Sequence, residues 1–201
     1  MGTAGLLLVL GISLSAGGTG ADGHLLAGAR AFREGRFDTA LVEFRVAQAL
    51  GSREAAAYAA SALVKLDRPE EAVDAFGEDE LARDALLDYY QATACYQARL
   101  YVCADRLLAG IGNRSGPRIA EQVAKVRGAI AAALAKEPTQ GAIDWYLAKC
   151  AASAGAGRAV LAAAQCREAA ALSERRSDRY RHGDATSSLA RLGDKTAGAR
   201  R

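Results

Sequence analysis

Proline is scarce in this chain of 201 residues: only Pro69, Pro117 and Pro138 occur, each beside polar or glycine residues suited to a break between helices. Aromatic residues make up 6% of the chain, and there is a single tryptophan. Alanine takes the place of valine, isoleucine and aromatics in stretches such as Glu54 to Ala62 and Ala129 to Ala135. Those shortages remove the usual material of strands, while alanine favours closely packed helices. The only histidines, His24 and His182, lie near opposite ends, and no two of the four cysteines stand three apart, so the spacing of a zinc site is missing. Gly110, Gly112 and Gly116 lack the preceding strand and the following Gly-Lys-Ser/Thr of a phosphate loop, and Gly155 and Gly157 fail the dinucleotide test for the same reason. Neither histidine has a recognisable Ser or Cys nucleophile arranged with it. The expectation is a protein without enzymatic activity, cofactor or metal; a hydrolase would need a site assembled only in space.

What charge there is falls unevenly. The formal net charge is +3, but Glu174 to Arg201 holds eight Arg/Lys against four Asp/Glu, which leaves the rest of the chain at −1. With acids interspersed and Tyr180 as the one aromatic, residues 177–201 read as a basic, flexible, solvated tail, and no specific nucleic-acid binding is expected. At the other end, Gly5 to Ala16 is uncharged and apolar for about a dozen residues, then yields to the small residues Gly17 to Gly23. That length suits a secretory signal and falls short of the roughly 20 residues that span a bilayer. Residues 1–23 are therefore expected to be a signal, with cleavage after Ala16, Gly18 or Ala21. No Lys or Arg precedes the apolar run. The alternative is an N-terminal helix that needs burial on every face. Export would place the protein in the periplasm of a bacterium or outside the cell, with no membrane span after cleavage.

Between these ends the chain repeats. Ala40, Ala72 and Ala104 recur at intervals of 32 residues, and four further series keep the register. Phe44, Phe76 and Leu108 follow each alanine by four; Phe37, Pro69 and Tyr101 precede it by three; Ala31, Leu63 and Cys95 precede it by nine; and the small residues Gly28, Ala60 and Ala92 precede it by twelve. Such a pattern suits helical hairpins: small residues on the first helix admit the second, and large ones fill the gap to the next repeat. One hairpin cannot bury its apolar face alone, so stacking follows. Past residue 111 the register weakens. Pro117 to Lys136 predicts one long helix, Thr139 caps another running to about Ser153, and Arg158 to about Arg175 predicts a third, forming a further hairpin with Trp145 and Tyr146 inside. A short helix is expected at Ser187 to Leu192.

The four cysteines are placed symmetrically about predicted turns, Cys95 and Cys103 about Arg99, Cys150 and Cys166 about Arg158. Residues equidistant from a turn face each other across antiparallel helices, so two disulfides are expected, Cys95–Cys103 and Cys150–Cys166. The alternative is buried free thiols.

The segment from Ala27 to Ala47, AGARAFREGRFDTALVEFRVA, resembles the tetratricopeptide repeat family, and residues 22–111 carry the resemblance. The spacing here is 32 where that family has about 34. The resemblance implies an all-α fold, αα-hairpins stacked as a right-handed superhelical solenoid over residues 24–176, that binds a peptide or partner protein. An assembly subunit permanently contacting a neighbour is the alternative. Ligands of the family lie along the concave face, which implies Leu25, Ala29, Phe32, Arg33, Ala57, Ser61, Val64, Lys65, Tyr89, Thr93, Tyr96 and Gln97 in this chain. Of these, Phe32, Tyr89 and Tyr96 would be apolar anchors and Arg33 and Lys65 charge partners for a ligand of some acidic character; Phe32 and Tyr96 could equally pack between helices. Leu25 and Ala29 stand where subfamilies that grip a C-terminal carboxylate need polar groups.

Overall fold

The computed structural model describes residues 20–77, 84–114, 116–136 and 139–199. The apolar segment read as a signal lies outside them except for its last residues, as does the acidic cluster Glu78-Asp79-Glu80. Among the described residues the fold is all-helical, with ten α-helices. They are α1 (Gly20–Arg33), α2 (Phe37–Ala49), α3 (Ala55–Lys65), α4 (Pro69–Phe76), α5 (Ala85–Gln97), α6 (Tyr101–Ile111), α7 (Pro117–Lys136), α8 (Gln140–Gly155), α9 (Ala159–Arg175) and α10 (Arg179–Ala199). A 3₁₀ turn at Gly112–Arg114 joins α6 to α7. No helix among the described residues is long and apolar enough to cross a membrane.

One local device builds the hairpins. At each of five helix-to-helix turns a single residue takes positive φ: Gly35, Asp67, Arg99, Gly157 and Ser177. The amide after it then reaches the carbonyl five residues back, as in Arg36 to Ala31 at 2.9 Å, Leu100 to Cys95 at 2.8 Å and Arg158 to Ser153 at 2.9 Å. This closes the first helix and reverses the chain in three residues. Asp67 therefore serves as the left-handed turn residue, and no side chain caps α4, which opens on Pro69.

The reversal brings fixed pairs of positions together. Seven residues before the positive-φ residue stand Gly28, Ala60, Ala92 and Cys150; nine after it stand Phe44, Phe76, Leu108 and Cys166. In the first hairpin a Cβ on Gly28 would lie 2.6 Å from the Phe44 ring, so only glycine admits that helix contact. In the α8–α9 hairpin the same two positions form the Cys150–Cys166 disulfide, with Cα atoms 5.4 Å apart. Cys95 and Cys103, four residues either side of Arg99, pair across α5 and α6 at a Cα separation of 6.0 Å. Both pairings agree with the symmetry of the sequence.

The hairpins do not simply continue in line. α3 packs on α2, α5 on α3 and α4, and α7 on α5 and α6, so α7 takes the place of a first helix of a fourth hairpin. The helix after it does not fill the matching second place. Instead α8, α9 and α10 fold together, and α9 lies against α4 and α6.

Two carboxylates fix this fold-back. Glu168 of α9, 1% exposed, accepts the amides of Val102 at 2.7 Å and Cys103 at 3.2 Å in the first turn of α6. In return Asp74 of α4 accepts the Leu161 amide at 2.9 Å in the first turn of α9, and its other oxygen binds Arg158 Nε at 2.6 Å. Each acid thus satisfies orphan donors and meets the positive end of a helix dipole. The Tyr146 hydroxyl donates to the Arg99 carbonyl at the α5–α6 turn.

The structure bears on three expectations, of which the burial of Trp145 is corrected. Tyr146 is buried, but Trp145 is 40% exposed, under the Arg99 and Lys149 cations, because neighbours on a helix point to different faces. Within the segment expected to be a tail, Arg179–Ala199 forms α10, which includes the short helix expected at Ser187 to Leu192, buries Ala185 and Leu192 and ties Arg181 to Asp144 of α8 at 2.5 Å. Gly20 to Gly23 belong to α1, with Ala21 buried, so cleavage after Ala21 would cut the first helical turn.

Two outcomes test the packing. Gly28→Ala is expected to cost about 1–3 kcal/mol by overpacking against Phe44, whereas Gly23→Ala, with open space around it, is expected to be neutral or to gain up to about 1 kcal/mol, both read by urea unfolding. Glu168→Leu, which strands two amide donors, is expected to lower stability by about 2–3 kcal/mol in the same measurement.

Candidate functional site

The first helices of the first three hairpins are α1, α3 and α5. Helical periodicity puts Leu25, Ala29 and Phe32 on one stripe of α1, Ala57, Ser61, Val64 and Lys65 on α3, and Tyr89, Thr93 and Tyr96 on α5. Most of this stripe faces the protein's own core: Leu25, Ala29, Ala57, Ser61 and Val64 are all buried.

Of the two readings open for Phe32, the structure has it packed between helices. It is 1% exposed, edge-on to Phe37 of α2 at 5.2 Å between centroids and to Tyr90 of α5 at 5.8 Å. Side chains of α1 and α5 therefore touch at Phe32 and Tyr90, and Phe32 is a core residue that offers no surface to a ligand. Tyr90, absent from the expected groove residues, is the hub of this contact; its own signal in the sequence was its place beside Tyr89, which lies 6.1 Å away.

What remains accessible is the rim. Arg33 and Gln97 are exposed, and Lys65, Tyr89, Thr93 and Tyr96 are partly buried. The Lys65 ammonium stands 5.5 Å from the centre of the Tyr90 ring, and among the described residues no carboxylate pairs with it. Burial holds its pKa below the ordinary value of 10.5, and burial likewise raises both Tyr89 and Tyr90. A desolvated ammonium held only by a ring quadrupole gains from any anion that reaches it. Tyr96 stacks at a tilt on Tyr101, 6.0 Å away, at the far end of the rim, and the Thr93 hydroxyl donates to the Tyr89 carbonyl within α5. Of the five predicted site residues, Lys65 and Tyr89 are both neighbours of Tyr90, Arg33 follows buried Phe32, and Tyr96 lies nearly two turns beyond Tyr89 along α5.

Comparison with protein families, curated proteins and solved structures finds no match to this chain.

The division of roles between core and rim is testable by unfolding. Phe32→Ala is expected to cost about 3–5 kcal/mol, as for a fully buried ring. Lys65→Met, which removes a desolvated charge with no ion-pair partner among the described residues, is expected to change stability by less than about 1 kcal/mol.

Proposed function

We propose that the chain is a non-enzymatic scaffold that binds an acidic segment of a partner protein on the rim of its α1–α3–α5 face. Lys65 carries this reading: it is a partly buried cation without a carboxylate partner among the described residues, set against Tyr90. Arg33 adds an exposed charge, and Tyr89 and Tyr96 add amphipathic rings, the residue types that dominate binding energy in small interfaces. An acidic side chain of the ligand meets Lys65 while its apolar neighbours cover the tyrosines. Phe32 takes no part.

In architecture we assign α1–α7 to a tetratricopeptide-type stack in a right-handed superhelix. What supports this is the 32-residue step, the hairpin turns at Gly35, Asp67 and Arg99, and the packing of α3 on α5 and of α5 on α7. Location outside the cytoplasm is part of the same proposal. Two cysteine pairs at disulfide distance are stable chiefly in an oxidising compartment, and the apolar residues 5–16 supply an export signal.

Fluorescence anisotropy with labelled 12-residue peptides of alternating Glu and Leu, against Lys-for-Glu counterparts, tests the site. The acidic peptide is expected to bind and the basic one not. Lys65→Glu is expected to weaken binding at least tenfold, about 1.4 kcal/mol, and Arg33→Glu by less. Because the Lys65 pKa in the fold is depressed, its charge is present at neutral pH and is lost on the alkaline side before 10.5 is reached. Affinity should fall over that range in the native protein and hold in Lys65→Arg. Unchanged affinity in Lys65→Glu would sink the proposal.

A further inference from the structure

The first helix of each hairpin has a second helix packed on it, except α7. In α1, α3 and α5 the second helix is received at the small residues Gly28, Ala60 and Ala92, and the next member of that series, 32 residues on, is Ala124 of α7. The position three residues later, buried as Ala31, Leu63 and Cys95, is occupied here by exposed Arg127. α8 does not come back along α7, since it packs with α9 and α10. The vacated strip is an open groove of about 660 Å³, lined by Ala124, Arg127, Ile130, Ala131, Leu134 and Ala135 of α7, with Asp105 of α6 and Arg175 of α9 at its edges.

We infer that this groove receives an amphipathic, acidic α-helix from a partner protein, which takes the place of the missing second helix of the fourth hairpin. Shape is the first reason. Ile130 forms the buried floor, and alanines at 124, 131 and 135 leave room for a helix backbone at the distance hairpin partners keep elsewhere in the chain. Charge is the second. The groove itself carries Arg127 and Arg175 against the single acid Asp105, while Arg118, Lys125 and Lys136 lie on the opposite face of α7. Across the groove Arg175 is exposed and has no carboxylate partner among the described residues; Arg127 reaches Asp105 at 3.2 Å in a pair half open to solvent. Such a pair is weakly held and yields readily to a partner acid. The chain's own second helices show the chemistry that fits: α4 opens with Glu70 and Glu71, and α2 carries Asp38 and Glu43 on 13 residues that already pack on a first helix. This groove is separate from the Lys65 rim, and the two proposals stand or fall independently.

The probe is a fluorescein-labelled peptide of the α2 sequence with Phe44→Leu, since Leu108 is what stands at that position opposite an alanine, Ala92, in the third hairpin; a hydrocarbon staple bridges Val42 and Arg45, both exposed in the fold. Binding to the full chain is followed by anisotropy. Saturable binding is expected, weakened at least tenfold by Ala131→Glu, which blocks an exposed position, and about fivefold by Arg175→Glu, with Lys65→Glu without effect. Circular dichroism of each variant confirms that the fold is kept. A peptide with Asp38→Lys and Glu43→Lys is expected to bind at least tenfold more weakly. Equal binding by the charge-reversed peptide, or by the Ala131→Glu protein, would overturn the inference, as would loss of binding in the Lys65→Glu protein. A dimer of the native chain in light scattering that Ala131→Glu dissolves would assign the groove to a second copy instead.

Discussion

The approach distance of two helices within a hairpin sets the terms for the rest of this structure. A three-residue reversal through one left-handed residue leaves no slack, so the facing side chains must share a narrow space. The chain meets the constraint in two ways at one pair of positions: Gly28 makes room for the Phe44 ring, and Cys150 and Cys166 join covalently. A bulky ring against glycine and a disulfide are thus alternative solutions to the same geometric demand. α10 extends the covalent version, since Leu189 and Leu192 cover the Cys150–Cys166 pair in a small second core.

The fold-back of α9 has a different character. Alanine-rich helix surfaces are smooth and slide easily past each other, so apolar burial alone would define that docking poorly. Glu168 and Asp74 supply the register, because each reaches only the free amides at the first turn of the opposite helix. Burying a carboxylate is costly unless its oxygens are satisfied, and displacement of α9 by one turn would leave both acids without donors. The arrangement rewards one alignment and penalises its neighbours. Its by-product is the solitary position of α7.

Much of this was legible in the sequence because the signals are local. The bounds of α7, the Thr139 side chain accepting the Ala142 amide at the start of α8, and the cysteine pairs across turns all depend on residues within about twenty of each other. The Phe32–Tyr90 contact was not legible, since periodicity reports that a face is buried without saying against what. Nor was the fold-back, whose hydrogen bonds join residues 65 to 88 apart in the chain. The tail showed only the Ser187 to Leu192 part of its helix for another reason: buried Ala185 and Leu192 and half-buried Leu189 have the helical spacing but are a thin stripe among charges. Net basicity masked a packing signal.

The Glu168 clamp also bears on the timing of folding. A ribosome or a translocation channel releases the chain from its N-terminal end, so α1 to α7 emerge as a set of short-range hairpins that can form at once. The amides at the start of α6 and the carboxylate of Asp74 then wait, hydrated, for partners 66 and 87 residues further along the chain. Completion of the fold is thereby tied to the arrival of α9, and any chain cut short before residue 168 carries an open α4–α6 surface by which an incomplete product is distinguishable from a finished one.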